Sequence, residues 1–109
     1  MNLNKENILV TGGCGFIGSH LVDELIKVGA FVVVIDNLSS GSISNLNPNA
    51  IFHQGDVSDE FFVRRIFEKY KFDYVIHEST TINTNTLNEV PLHDVKSSIN
   101  STIILAENC

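Results

Sequence analysis

Residues 11–21 read TGGCGFIGSHL, with four glycines between positions 12 and 18. Glycine inside regular structure costs up to about 1 kcal/mol against alanine. A cluster this dense marks a backbone that must turn tightly or lie against something. Its flanks define the setting. Upstream, Asn7-Ile8-Leu9-Val10-Thr11 is a short apolar run and reads as a buried strand. Downstream, Ile17, Leu21, Leu25 and Val28 recur at helical spacing and predict one apolar helix face, with Gly29 where a C-terminal glycine stop belongs.

The same alternation continues along the chain. Ala30 to Ile35 is continuous and β-branched, as in a strand covered on both faces of a parallel sheet, and Asp36 ends it. Residues 37–49, NLSSGSISNLNPN, predict a polar loop with room for one short helical turn, and Ala50 to Gln54 a brief third strand. Ser58-Asp59-Glu60 opens a second helix with a cap residue and two acids. Its stripe is Phe62, Ile66 and Tyr70 with Val63 and Phe67, and Arg64, Arg65, Lys69 and Lys71 lie towards its C-terminal end. Tyr74 to Ile76 is a fourth strand, residues 77–91 are polar without a period, and Leu92, Val95, Ile99 and Ile103 form a last helical stripe. The order β-α-β-loop-β-α-β-loop-α predicts an α/β fold, a parallel sheet with right-handed crossovers.

Composition narrows the function. With 109 residues, 43% hydrophobic and 18% charged, the chain suits one globular unit. A net charge of −6 argues against nucleic acid and against an anionic membrane surface. Cys14 and Cys109 fit neither a metal spacing nor a disulfide framework, and His20, His53, His77 and His93 share no metal-ligand spacing. No metal site is expected. The start, MNLNKENILV, lacks a signal-peptide core, and the longest purely apolar run, Ala30 to Ile35, is far short of a membrane span. These features predict a soluble cytoplasmic protein with reduced thiols. Cys14, inside the glycine turn, reads as a small buried filler, although a helix N-terminus can also lower a thiol pKa.

A glycine cluster that follows a strand and opens a helix lets backbone approach a pyrophosphate, which the free N–H groups at the helix start can bind. Two registers fit: Gly12-x-x-Gly15-x-x-Gly18, and GxGxxG from Gly13. Gly18 allows helix and strand to pack closely. Asp36 ends the second strand about 20 residues on, where an acid accepts hydrogen bonds from an adenosine ribose. It would repel a 2′-phosphate, and no Arg or Lys occurs from residue 28 to 63 to offset that, so NAD is favoured over NADP. A tight turn without a ligand and an FAD-binding unit remain the alternatives. A P-loop is excluded because no Gly-Lys-Ser/Thr follows.

TGGCGFIGSHL, VIDNLSSG, GDVSD and VIH, in this order, resemble the extended short-chain dehydrogenase/reductase family. Within it, the similarity is to NAD-dependent nucleotide-sugar epimerases and dehydratases of the UDP-glucose 4-epimerase type. The resemblance implies a Rossmann-type parallel sheet of order 3-2-1-4 with flanking helices. Residues 1–109 would form one NAD-binding domain, incomplete against the family's full domain, with no second domain. It implies Gly12, Gly15 and Gly18 at the phosphates, and Phe16 and Ile17 at the pyrophosphate turn. Asp36 and Asn37 would hold the ribose, with Leu38, Ser39, Ser40 and Gly41 closing over it. Asp56 and Val57 would flank the adenine, although an Asp there also reads as a plain cap.

The chain departs from that pattern in places. His77 is followed by Glu78, Ser79 and Thr80, where the family has an apolar residue and two alanines. In the last helix, Ser98 and Ser101 replace the family's Asn and Gly. The family's catalytic Ser and Tyr-x-x-x-Lys belong beyond residue 109, and neither Tyr70 nor Tyr74 has a Lys four residues on. No catalytic residue is therefore assigned. The expectation is the NAD-binding portion of an epimerase/dehydratase, inactive alone, which meets a nucleotide-sugar only when complemented. A non-enzymatic NAD-binding sensor or interaction module, and one half of a split enzyme, are the alternatives. The resemblance also places a subunit interface on Leu92 to Glu107, and an open apolar edge at the fourth strand favours self-association.

Overall fold

The structure, a computed structural model, describes residues 6–38, 42–78 and 103–109. Four parallel strands form one sheet: β1 (Asn7–Thr11), β2 (Phe31–Asp36), β3 (Ile51–Gln54) and β4 (Tyr74–His77), in the order β3-β2-β1-β4. This is the predicted 3-2-1-4 sheet. Between the strands lie α1 (Phe16–Lys27), a 3-10 turn (Ile43–Asn45) in the expected polar loop, and α2 (Glu60–Lys69). Residues 103–108 are helical.

Because successive strand residues point to opposite faces, β1 and β2 divide their side chains between two cores. Ile8, Val10, Val32 and Val34 pack with Cys14, Val22 and Leu25 under α1. Leu9, Val33 and Ile35 pack with Val57, Val63, Ile66 and Leu105 under α2 and the 103–108 helix. Strands buried on both faces must be apolar throughout, which is why these two read as unbroken runs.

The helix boundaries have local causes. Gly29 takes φ 97, and its N–H bonds the Ile26 carbonyl while that of Ala30 bonds Leu25. These paired bonds stop α1 and satisfy its last carbonyls. The cap of α2 is Asp59, whose carboxylate accepts the N–H groups of Phe61 and Phe62. Ser58 stands one residue earlier and bonds Asp56 instead.

Two expected stripes are rotated. In α1 the buried positions are Gly18, Ser19, Val22 and Leu25, and Ile17 is 68% exposed. The helix rests through Gly18 on the backbone of Gly12 and Gly13 in the glycine turn, which turns Ile17 out of the core. In the last helix, Leu105 and Ile104 meet the core, while Ile103 is half-exposed. The remainder of that stripe, Leu92, Val95 and Ile99, lies outside the described residues, as do Ser98 and Ser101.

Gly29→Ala should cost about 1 kcal/mol, because alanine resists a left-handed backbone. Chemical denaturation with an unchanged m-value is the check, and the alanine variant should unfold at lower denaturant.

Candidate cofactor site

The C-terminal ends of β1 and β2 converge on the glycine turn. Gly12 has φ 75, and its N–H reaches the Ile35 carbonyl at 2.7 Å, so the chain leaves β1 while still tied to β2. A Cβ on Gly13 would run into the Val34 side chain, and one on Gly18 into the Gly12 carbonyl. Both glycines are therefore required by internal packing. Gly15 differs. Its φ of −78 suits any residue, and a Cβ there meets only the Gly12 oxygen, at an ordinary 3.5 Å. Neither backbone conformation nor packing within the described residues accounts for a glycine at position 15.

Gly15 is also the N-cap of α1, with no side-chain cap and no acid in the first turn. The N–H groups at a helix start lack intrahelical partners, and the dipole adds positive potential there. The first turn thus offers donors to an anion. Phe16 and Ile17, 79% and 68% exposed, flank them, and Phe16 stands edge-on to His20 at 4.9 Å.

Asp36, at the end of β2, is 6% exposed. Its Oδ2 accepts the Cys14 N–H at 2.9 Å and its Oδ1 the Leu38 N–H at 2.8 Å. The second bond holds Leu38 at φ 62, a left-handed conformation unusual for leucine. From the other side, the Ser42 N–H and the Asn45 amide both bond the Cys14 carbonyl, at 3.2 and 3.1 Å, docking the loop after β2 on the glycine turn. The Cys14 thiol is fully buried, and burial together with the neighbouring Asp36 carboxylate pushes its pKa up to about 11. It is a neutral filler, not an activated thiolate.

Across β1, Thr11 and His77 are register partners, with Thr11 Oγ1 2.6 Å from His77 Nδ1. The Glu78 N–H bonds the Thr11 carbonyl at 2.9 Å and its hydroxyl oxygen at 3.1 Å, continuing the ladder one residue past β4. Burial lowers the His77 pKa, with the Glu78 carboxylate pulling the other way. His77 Nε2 is buried and has no hydrogen-bond partner among the described residues.

The structure thus gathers Gly12, Gly15, Phe16, Ile17, Gly18, Asp36 and Leu38 around the glycine turn. Asn37 follows Asp36 and is exposed. Asp56 follows β3, with Oδ1 accepting both the N–H and the hydroxyl of Ser58. Val57 places its side chain in the core, 6% exposed. Ser39, Ser40 and Gly41 lie outside the described residues. Reading the sequence alone missed the bonds from Asp36 to the turn and the anchoring of Cys14 by Ser42 and Asn45. Ser42 and Asn45 carry no motif signal. Among the described residues no group of three or more His, Cys, Asp or Glu could hold a metal ion, and no helix is long and apolar enough to cross a membrane.

A parallel 3-2-1-4 sheet, with a glycine turn feeding a helix from its first strand and an acid ending its second, is the Rossmann-type arrangement. The sequence model of the NAD dependent epimerase/dehydratase family matches residues 8–109, and the chain belongs to that family. It is 38% identical over 109 residues to a UDP-glucose 4-epimerase of Neisseria meningitidis, covering 94% of this chain and 32% of that protein. Among solved structures it is similar to the UDP-glucose 4-epimerase of Thermotoga maritima with UDP-glucose, at 45% identity and a TM-score of 0.90, covering 94% of this chain and 33% of that one. It also resembles the Thermus thermophilus UDP-glucose 4-epimerase complex with NAD, at 34% identity and a TM-score of 0.88, with the same coverage. The chain spans about a third of the length of these relatives.

Gly18→Ala should lose 2 kcal/mol or more, on the order of an overpacked site, whereas Gly15→Ala should melt within a few degrees of the parent. Equal melting temperatures for the two variants would contradict the packing roles above. The thiols should also separate: exposed Cys109 alkylates near neutral pH, and native Cys14 resists until the pH approaches 11. Mass spectrometry of the singly modified protein identifies the site.

Proposed function

We propose that this chain supplies the adenosine- and pyrophosphate-binding part of an NAD-dependent nucleotide-sugar epimerase of the UDP-glucose 4-epimerase kind. One observation carries the reading: the Asp36 carboxylate is tied to the Cys14 N–H, beside an uncapped helix start where a Cβ on Gly15 would meet only the Gly12 oxygen, at an ordinary contact distance. A glycine that neither conformation nor packing among the described residues requires, beside helix amides without intrahelical partners, suits a phosphate group lying against the backbone. Asp36 would take the ribose hydroxyls, with Asn37 and the Leu38–Gly41 loop over them, and Asp56 and Val57 the adenine side. NAD, when bound, supplies reversible hydride acceptance. The residues here bind and orient it.

These 109 residues contain no Tyr-x-x-x-Lys, so the acid/base work of sugar oxidation is assigned to none of them. A second reading is an NAD-binding module that regulates or complements another chain. Under either reading the nucleotide-sugar is met together with a complementing part, and the flank of β4 that no described residue pairs with supports self-association.

Calorimetry tests the shared core of both readings. NAD should bind at least about tenfold more tightly than NADP, and Asp36→Asn should shrink that gap. Gly15→Val should bind neither while keeping the parent's circular dichroism. Equal affinity for NAD and NADP in the parent chain would overturn the role of Asp36. Unimpaired binding by Gly15→Val would overturn the phosphate role of the turn.

A further inference from the structure

We propose that Glu78 biases this crevice toward the oxidised form of its dinucleotide. The inference rests on the NAD reading above and concerns the end of the ligand that no residue has yet been assigned to hold.

Glu78 follows β4 directly, and its N–H is bonded to both oxygens of Thr11, one residue before Gly12. Asp36 ends β2 on the other side of β1. The two carboxylate-bearing residues thus bracket the glycine turn, two strand spacings or about 10 Å apart along the hydrogen-bonding direction. In an open parallel sheet, a ligand lies outside the carboxyl ends of the strands, across the point where the order reverses. Here that point is between β1 and β4, whose connections run to opposite sides of β1. With adenosine at Asp36 and pyrophosphate at the start of α1, the second half of a dinucleotide runs over β1 toward Glu78.

Among the described residues of the rim, 11–20, 36–38, 42–56 and 77–78, there is no Lys or Arg to oppose the charge of Glu78. His77, next to Glu78 and half-buried, is held toward its neutral form by burial. Glu78 is exposed, and among the described residues its hydrogen bonds use the backbone N–H alone, which leaves its carboxylate unbonded there. The nicotinamide ring carries a positive charge when oxidised and none when reduced, and the rest of the molecule is the same. A carboxylate at that end therefore adds affinity for NAD+ and not for NADH. The family pattern that this segment resembles has an apolar residue at the position, so the bias belongs to this chain's own sequence.

The test titrates the chain with NAD+, NADH and ADP-ribose, in the parent and in Glu78→Gln and Glu78→Asp. The parent should prefer NAD+. Glu78→Gln should reduce that preference about three- to tenfold, the scale of one partly screened charge several ångströms away, and should leave ADP-ribose within about twofold of the parent. Glu78→Asp, which keeps the charge, should retain most of the preference. If Glu78→Gln leaves the ratio of NADH to NAD+ Kd values unchanged while all three ligands bind, the inference is overturned and the NAD reading stands. If none of the three binds the parent, both fall.

Discussion

The carboxylate of Asp36 accepts N–H bonds from Cys14 on one side and from Leu38 on the other. Hydrogen bonds to a charged group contribute about 1.5–3 kcal/mol each. These two join the end of β2 to the glycine turn and to the loop that follows. Leu38 in a left-handed conformation costs about 1–2 kcal/mol, which its bond to Asp36 and its packing beside the α1 core offset. The Cys14 carbonyl then receives Ser42 and Asn45. Turn, strand end and loop are thereby held as one rigid rim. A ligand meeting this rim finds its donors already ordered, which reduces the entropy lost on binding.

The rim handles charge without cations. The chain carries −6 and has no Lys or Arg from residue 28 to 63, so under the proposed reading an anionic ligand at this rim meets backbone amides and the helix dipole. Fixed amide dipoles need no long side chain to be immobilised. Under the proposed readings, Asp36 would oppose an added phosphate and Glu78 would distinguish two charge states of one ring.

The glycines divide this labour. Gly12 makes the left-handed turn, Gly13 lets the turn lie on Val34, and Gly18 lets α1 approach the Gly12 carbonyl. These three belong to the fold. Among the described residues, Gly15 is compatible with a side chain in both conformation and space.

Much of the fold was legible in the residues themselves, because local rules and tertiary demands agree. Strands covered on both faces must be apolar throughout, so Asn7–Thr11 and the run ending at Asp36 announced a parallel sheet. The strand–glycine–helix order and the acid after β2 marked the crevice, since each role depends on residue type at a fixed separation. Contacts between distant residues decided the rest. Gly18 against Gly12 rotates α1 and exposes Ile17, which helical periodicity alone had put in the core. Val57 belongs to a core whose other members come from β1, β2, α2 and the 103–108 helix. The second duty of Asp36 and the place of Glu78 beside Thr11 exist only once β2, β1 and β4 lie side by side. Periodicity along a chain fixes which residues share a face. It carries no information on how far a helix rotates about its own axis, or on which polar atom a neighbouring strand will bring within 3 Å.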